Sequence, residues 1–319
     1  MTWLILAVLC MISWGLTDIL YKKGSTREDE LSCYKFMVWL GMIMGIVAIV
    51  LLPESESGVG LLSKIGEDIF FILIPLTYPI AVMVGLNGKR YLDISVASPL
   101  ENIDGAIAPV MMLVFFLVTG TINSIGSMVS WLDLIGIILV IFSVILIGRM
   151  EQKLAQSDNS VMKDGKKKRI GATALIFPLV YSFFDAICTA ASGVVLYDEG
   201  TVALGENDFL IIEGTAFVLI GIASYIYLWY KMKRPYNPFR KTESVRCAGG
   251  ILELVGNVCF TYAIAENPVL ATPVTSAYCI VTIIAARILL KEKLQKKQYA
   301  CLAVLVAGIL ILGISEGIK

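Results

Sequence analysis

No histidine occurs among the 319 residues. That absence removes Ser-His and Cys-His nucleophile pairs, zinc sites of the His-Glu-x-x-His kind and any imidazole proton relay. Charge is also scarce: 16% of residues are Asp, Glu, Lys or Arg and 57% are hydrophobic, where a soluble domain carries about a quarter charged. With a mean hydropathy of +0.81, the chain cannot cover its own apolar surface with polar groups, which excludes a water-soluble fold. The 26 basic and 26 acidic residues cancel, so nothing in the charge points to nucleic acid or another polyanion. No Cys-x-x-Cys pair joins any of the seven cysteines, and their apolar settings read as small buried side chains rather than a metal site. A Gly-x-x-x-x-Gly-Lys-Ser/Thr phosphate loop is missing, as is the Gly-x-Gly-Asp element of intramembrane aspartyl proteases. The chain is therefore expected to be no enzyme and no ATP-driven pump, and to need no cofactor and no metal.

What the chain has instead is long apolar runs. A bilayer core about 30 Å thick needs about 20 apolar residues per helix. Cutting at charges and turn residues gives ten segments, 3–20, 34–52, 69–88, 94–118, 132–148, 171–197, 209–230, 246–264, 269–290 and 298–314. No base precedes the first run, whereas Lys22 and Lys23 follow it, which suits a retained first span better than a cleaved signal. The expected fold is an all-α integral membrane protein of ten transmembrane helices. Of the 26 basic residues, 23 fall in connections after odd-numbered helices and only Lys64 and Lys319 on the opposite face, with Arg287 near the inner end of helix nine. The positive-inside rule then puts both termini outside the cell membrane. The polar stretch 151–170, with Lys166-Lys167-Lys168-Arg169, reads as a cytoplasmic linker between residues 1–150 and 171–319, anchoring the topology and able to meet lipid headgroups.

Five helices on each side of a linker suggest duplication. Asp93-Ile94-Ser95-Val96-Ala97-Ser98-Pro99 echoes Asn267-Pro268-Val269-Leu270-Ala271-Thr272-Pro273 at an offset of 174, and Trp14 and Asp18 stand four apart as Tyr181 and Asp185 do. Because five is odd, an in-frame duplication inverts in the membrane, the arrangement of alternating-access carriers.

Carboxylates at membrane depth cost about 2.5 to 3.5 kcal/mol each on insertion scales, so Glu101, Asp104, Asp185 and Glu253 require partners or a function. Residues three or four apart share a helix face. Ala97, Glu101, Asp104 and Ala108 form one stripe, opposite the lipid-facing Ile103, Ile107, Val110 and Val114. Gly249, Glu253, Gly256, Asn257 and Phe260 form another, and Thr272, Thr275, Ser276 and Cys279 a third. These stripes should converge on a cavity with Trp14, Asp18, Tyr78, Tyr181 and Asp185. Asp18 is near enough the inner boundary to be solvated, and Asp133 and Glu213 read as acids near helix starts. Gly41 and Gly45 form a Gly-x-x-x-Gly pair suited to close packing. Pro75, Pro79, Pro99, Pro109, Pro178 and Pro273 mark bends or static kinks.

Taken together, the five-plus-five plan, Trp14-Gly15 late in helix one, Pro273 early in helix nine and Leu290-Lys291-Glu292-Lys293-Leu294 before a last helix containing Gly308 resemble the drug/metabolite transporter superfamily, in its ten-helix EamA-like branch. A Glu-x-Leu-like element stands at Glu292 and Leu294 but not after helix four, around Thr119 to Asn123. Helix six has Tyr181-Ser182-Phe183-Phe184-Asp185 where a Trp-Gly pair is usual. The resemblance implies a secondary carrier with a central cavity between its halves. Similar proteins export amino acids, take up sugars or import quaternary amines.

The site expectation rests on the intramembrane chemistry: Glu101, Asp104, Glu253, Asp185, Asp18, Trp14, Tyr78, Tyr181, Asn257 and Phe260 for substrate or a coupling proton or Na+. Four buried acids without a buried base favour a cation or zwitterion, and aromatic faces attract amines. A small organic amine or amino acid is thus expected ahead of a sugar or other neutral metabolite. The reading from a different class is a membrane channel or scaffold.

Overall fold

The computed structural model describes residues 2–26, 28–55, 70–92, 94–161, 176–197, 204–290 and 296–318. Among these the regular structure is helical, without a strand: α1 Thr2–Gly24, α2 Ser32–Leu51, α3 Phe70–Tyr91, α4 Ile94–Glu101, α5 Asp104–Thr119, α6 Trp131–Val161, α7 Ile176–Leu196, α8 Glu206–Met232, α9 Ser244–Glu266, α10 Pro268–Thr275, α11 Tyr278–Leu290 and α12 Lys296–Ile318. Among the described residues seven helical stretches are long and apolar enough to cross a membrane: Thr2–Gly24, Ser32–Glu54, Ala97–Thr119, Ile176–Leu196, Glu206–Met232, Lys241–Glu266 and Pro268–Leu289. Two further apolar helices, Trp131–Leu146 and Tyr299–Leu312, are shorter.

Two of the expected segments are broken. The fourth divides into α4 and α5 at Asn102-Ile103, and the ninth into α10 and α11 at Ser276-Ala277. Each break follows an in-helix proline by three residues, Pro99 or Pro273, and proline removes an amide donor and crowds the preceding turn. The halves begin and end in register, since Ile94 and Pro268, Glu101 and Thr275, and Asp104 and Tyr278 all stand 174 apart. The tightened turns past the breaks do as well, Ala106 N donating to Ile103 O at 3.0 Å and Ile280 N to Ala277 O at 3.1 Å.

The segment expected to end at 148 continues to Val161, so the first part of the linker is helical. Its start is closed by a reciprocal cap in which Ser130 N donates to Asp133 Oδ2 at 2.8 Å and Asp133 N to Ser130 Oγ at 3.2 Å. Asp133 is thus an acid of a helix start, as expected. The run Lys166 to Arg169 lies outside the described residues.

Helices pack in pairs: α1 along α9, α3 along α7, α2 along α8 and α6 along α12. In lipid, small residues let backbones approach. A β-carbon on Gly41 would meet Phe217 O at 2.8 Å, and one on Gly214 would meet Met44 O at 2.7 Å, so the α2–α8 contact is closed from both sides. The stripes fall as expected on α4 and α5: Ala97, Glu101, Asp104 and Ala108 are buried, while Ile103, Ile107, Val110 and Val114 are exposed.

Candidate functional site

Among the described residues, two small adjoining chambers each have Trp14 and Tyr78 in their walls. The first is lined by Trp14, Thr17, Asp18, Tyr21, Tyr78, Val82, Lys89, Tyr181, Glu253 and Tyr278. The second is lined by Trp14, Tyr78, Asp185, Cys188, Thr189, Ser192, Glu213, Asn257 and Phe260.

Trp14 fits in both walls because α9 offers it no side chain at Gly256, against whose backbone the indole rests. Its Nε1 donates to Asn257 Oδ1 at 3.1 Å, and its ring lies 5.3 Å from Phe260, 6.0 Å from Tyr278 and 6.3 Å from Tyr78. Tyr181 on α7 is placed alike against α3, where a β-carbon on Gly85 would meet Tyr181 Cδ2 at 2.8 Å.

Charge in the first chamber is organised around a base. Lys89, in the last turn of α3, is 2% exposed. Its ammonium donates to Glu101 Oε2 and stands 3.1 Å from Asp18 Oδ1, 5.6 Å from the centre of the Tyr181 ring. This corrects two expectations. The acids do have a buried basic partner, because Lys89 belongs to the end of a helix and not to a connecting loop. Asp18 is buried rather than solvated, and its Oδ2 accepts from Ser98 at 2.7 Å and Thr282 at 3.2 Å. Lys22 fixes the turn beyond by donating to the carbonyls of Lys89 and Leu92, both at 2.6 Å.

Glu253 is held differently. Tyr21 donates to its Oε2 at 3.1 Å and Tyr78 to its Oε1, so both carboxylate oxygens accept from phenols. Among the described residues no basic side chain forms an ion pair with Glu253, Asp185, Asp104 or Glu213.

In the second chamber two buried polar atoms, Glu213 Oε2 and Asn257 Nδ2, have no hydrogen-bond partner among the described residues. Glu213 was expected to serve a helix start. It stands seven residues past Glu206, the first residue of α8, is 6% exposed, and belongs to the chamber wall.

Asp104 lies apart from both chambers, at the crossing of the broken helices. Ser276 Oγ donates to its Oδ2 at 2.7 Å, and Cys279 N donates to Asn102 Oδ1 at 3.1 Å, so each break is tied to the other helix. The structure thus brings together nine of the ten expected residues around the chambers or their ion cluster, with Glu101 reaching the first through Lys89. Sequence reasoning missed Lys89, Glu213, Tyr21 and Tyr278. A period-based signal existed for Tyr21, one turn past Asp18 and Thr17 on the same face of α1.

The profile of the EamA-like transporter family, part of the drug/metabolite transporter superfamily, matches residues 174–314. No functionally curated protein matches the sequence. Twelve solved chains are similar in fold. One of them, a crystal structure, has a TM-score of 0.57 and 10% identity over 98% of this chain and 95% of its own, a likeness of fold alone.

Proposed function

We propose, from the match of residues 174–314 to the EamA-like transporter family and the apolar, all-helical structure of the described residues, that the chain is a secondary transporter of a small organic amine or amino acid. It works by alternating access across the cell membrane, from two inverted five-helix repeats joined by a cytoplasmic linker, with both termini outside. The matched register of the two broken helices supports the repeat, as does the parallel placement of Trp14 on Gly256 and Tyr181 on Gly85.

The observation that carries the substrate class is Glu253. Its two oxygens take hydrogen bonds from phenols, it has no basic partner, and Trp14, Tyr78, Tyr181 and Tyr278 wall the same chamber. A carboxylate so held suits an ammonium group framed by aromatic faces, worth about 0.5 to 2 kcal/mol each. Lys89, on the wall of that chamber, is already paired with Asp18 and Glu101, so the chamber keeps its preference for an ammonium group. Asp185 and Glu213 extend the acidic lining into the second chamber and are the groups we assign to a coupling proton or Na+.

Calorimetry on the purified full chain tests this with amino acids, polyamines, choline and neutral sugars. Saturable binding of an amine or amino acid is expected. Binding of a neutral sugar with none of the amines overturns the substrate class. Solute flux in liposomes that neither saturates nor shows counterflow overturns the carrier in favour of a channel.

A further inference from the structure

The turn between α8 and α9 displays charge of one sign. From Trp229 to Thr242 the chain reads Trp-Tyr-Lys-Met-Lys-Arg-Pro-Tyr-Asn-Pro-Phe-Arg-Lys-Thr, with five bases and no acid. Lys231, Lys233, Arg234, Arg240 and Lys241 are all exposed. Beside them Trp229 is 58%, Tyr230 67% and Phe239 79% exposed.

The turn is held in place rather than loose. Lys233 closes α8 in the left-handed region, φ 55°. Tyr236 then turns inward against Val38 and Leu228, and its hydroxyl donates to Glu243 Oε2 at 2.7 Å. Burial and the Glu243 carboxylate push that phenol above the usual tyrosine range, so it stays protonated and donating. Glu243 also accepts from Arg246 at 2.6 Å, and Arg246 reaches Gly24 O at 2.8 Å and Asp29 at 3.0 Å. Glu243 and Asp29 are therefore engaged inward, and among the described residues no acid forms an ion pair with the five bases of the turn, of which Lys231 and Lys233 lie over the Tyr227 and Tyr230 rings. Asn237 Oδ1 accepts from Phe239 N at 3.0 Å, and the Phe239 ring meets Trp39 of α2 edge-on at 5.9 Å.

We propose that this turn is a binding site for anionic phospholipid headgroups of the leaflet at that end of the bundle. Position chooses the occupant. The turn starts where the apolar length of α8 ends, and exposed Trp and Tyr rings favour the level of the headgroups. A cluster of juxtamembrane bases attracts anionic lipid, each contributing about fivefold in affinity. A soluble acidic partner would use the bases but gain nothing from the exposed apolar surface of Trp229, Tyr230 and Phe239.

Native mass spectrometry of the full chain in neutral detergent tests the site, with dilauroyl phosphatidylglycerol, phosphatidylcholine of the same chains, and polyglutamate as probes. Phosphatidylglycerol should bind in preference to phosphatidylcholine. K231Q/K233Q and R240Q/K241Q should each weaken it about 25-fold, while K231R/K233R retains it. Thermal melting without lipid checks that each variant is folded, and either double variant suffices. Equal binding of phosphatidylcholine, unchanged phosphatidylglycerol affinity in a folded glutamine variant, or tighter binding of polyglutamate than of phosphatidylglycerol overturns the proposal.

Discussion

Lys89 Nζ lies 3.1 Å from Asp18 Oδ1, joining the end of α3 to α1 across 71 residues of sequence, and the same ammonium reaches Glu101. Removing one member of a buried ion cluster leaves the others charged without a partner, at a cost of about 3 to 5 kcal/mol. Lys89→Met should therefore lower the melting temperature in detergent sharply. Adding Asp18→Asn and Glu101→Gln to it should recover much of the loss. A Lys89→Met protein that melts with the wild type would deny the cluster its structural weight.

The contact of Trp14 with Gly256 predicts a steric defect that can be repaired. Gly256→Ala puts a methyl group into the indole and should cost about 1 to 3 kcal/mol, as overpacking does. Trp14→Phe, smaller by one ring, should cost less in the Gly256→Ala background than alone, because residues in contact do not add. Strict additivity in the double-variant cycle would place the indole elsewhere. Gly85→Ala against Tyr181 is the matching case in the other half.

Glu253→Gln keeps the size of the side chain but gives it an amide donor facing two phenols that donate. Amine binding should weaken at least tenfold, the scale of a lost charged hydrogen bond, with little change in folding. Calorimetry with the best amine found reads this directly, and undiminished binding would move the ammonium site away from Glu253.

The acids also predict a pH effect. Asp185→Asn, Glu213→Gln and Glu253→Gln, which stand outside the Lys89 ion cluster, should leave the protein folded yet remove transport, or its dependence on pH, in liposomes with an imposed proton gradient. If all three variants transport normally at every pH, these carboxyls only hold helices together.

Topology is tested on a background without the seven native cysteines. A cysteine at Ser160, near the end of α6, should react with an impermeant maleimide only after the cells are opened. Labelling in intact cells would reverse the orientation.

Much of the frame was readable in the sequence because lipid enforces it. Apolar run length marked the helices, and the 174-residue echo marked where both broken helices begin, since Ile94 and Pro268 open them. The stripe through Glu101 and Asp104 was legible because burial follows the helical period. Lys89 was not legible. It stands next to Arg90 where charge counting assigns both to a loop, and only packing of α3 against α1 reveals that its side chain turns inward. Arg90, also buried, donates instead to Thr26 O and Glu30 O. Glu213 escaped for a related reason: α8 begins at Glu206, earlier than its apolar run, so a residue counted near the start is two turns inside.

The paired hydrogen bonds at the broken helices, Cys279 N to Asn102 Oδ1 and Ser276 Oγ to Asp104 Oδ2, have a mechanical meaning. They tie the break of one half to the break of the other, between segments 174 residues apart. A substitution that removes either bond is therefore expected to loosen both kinks.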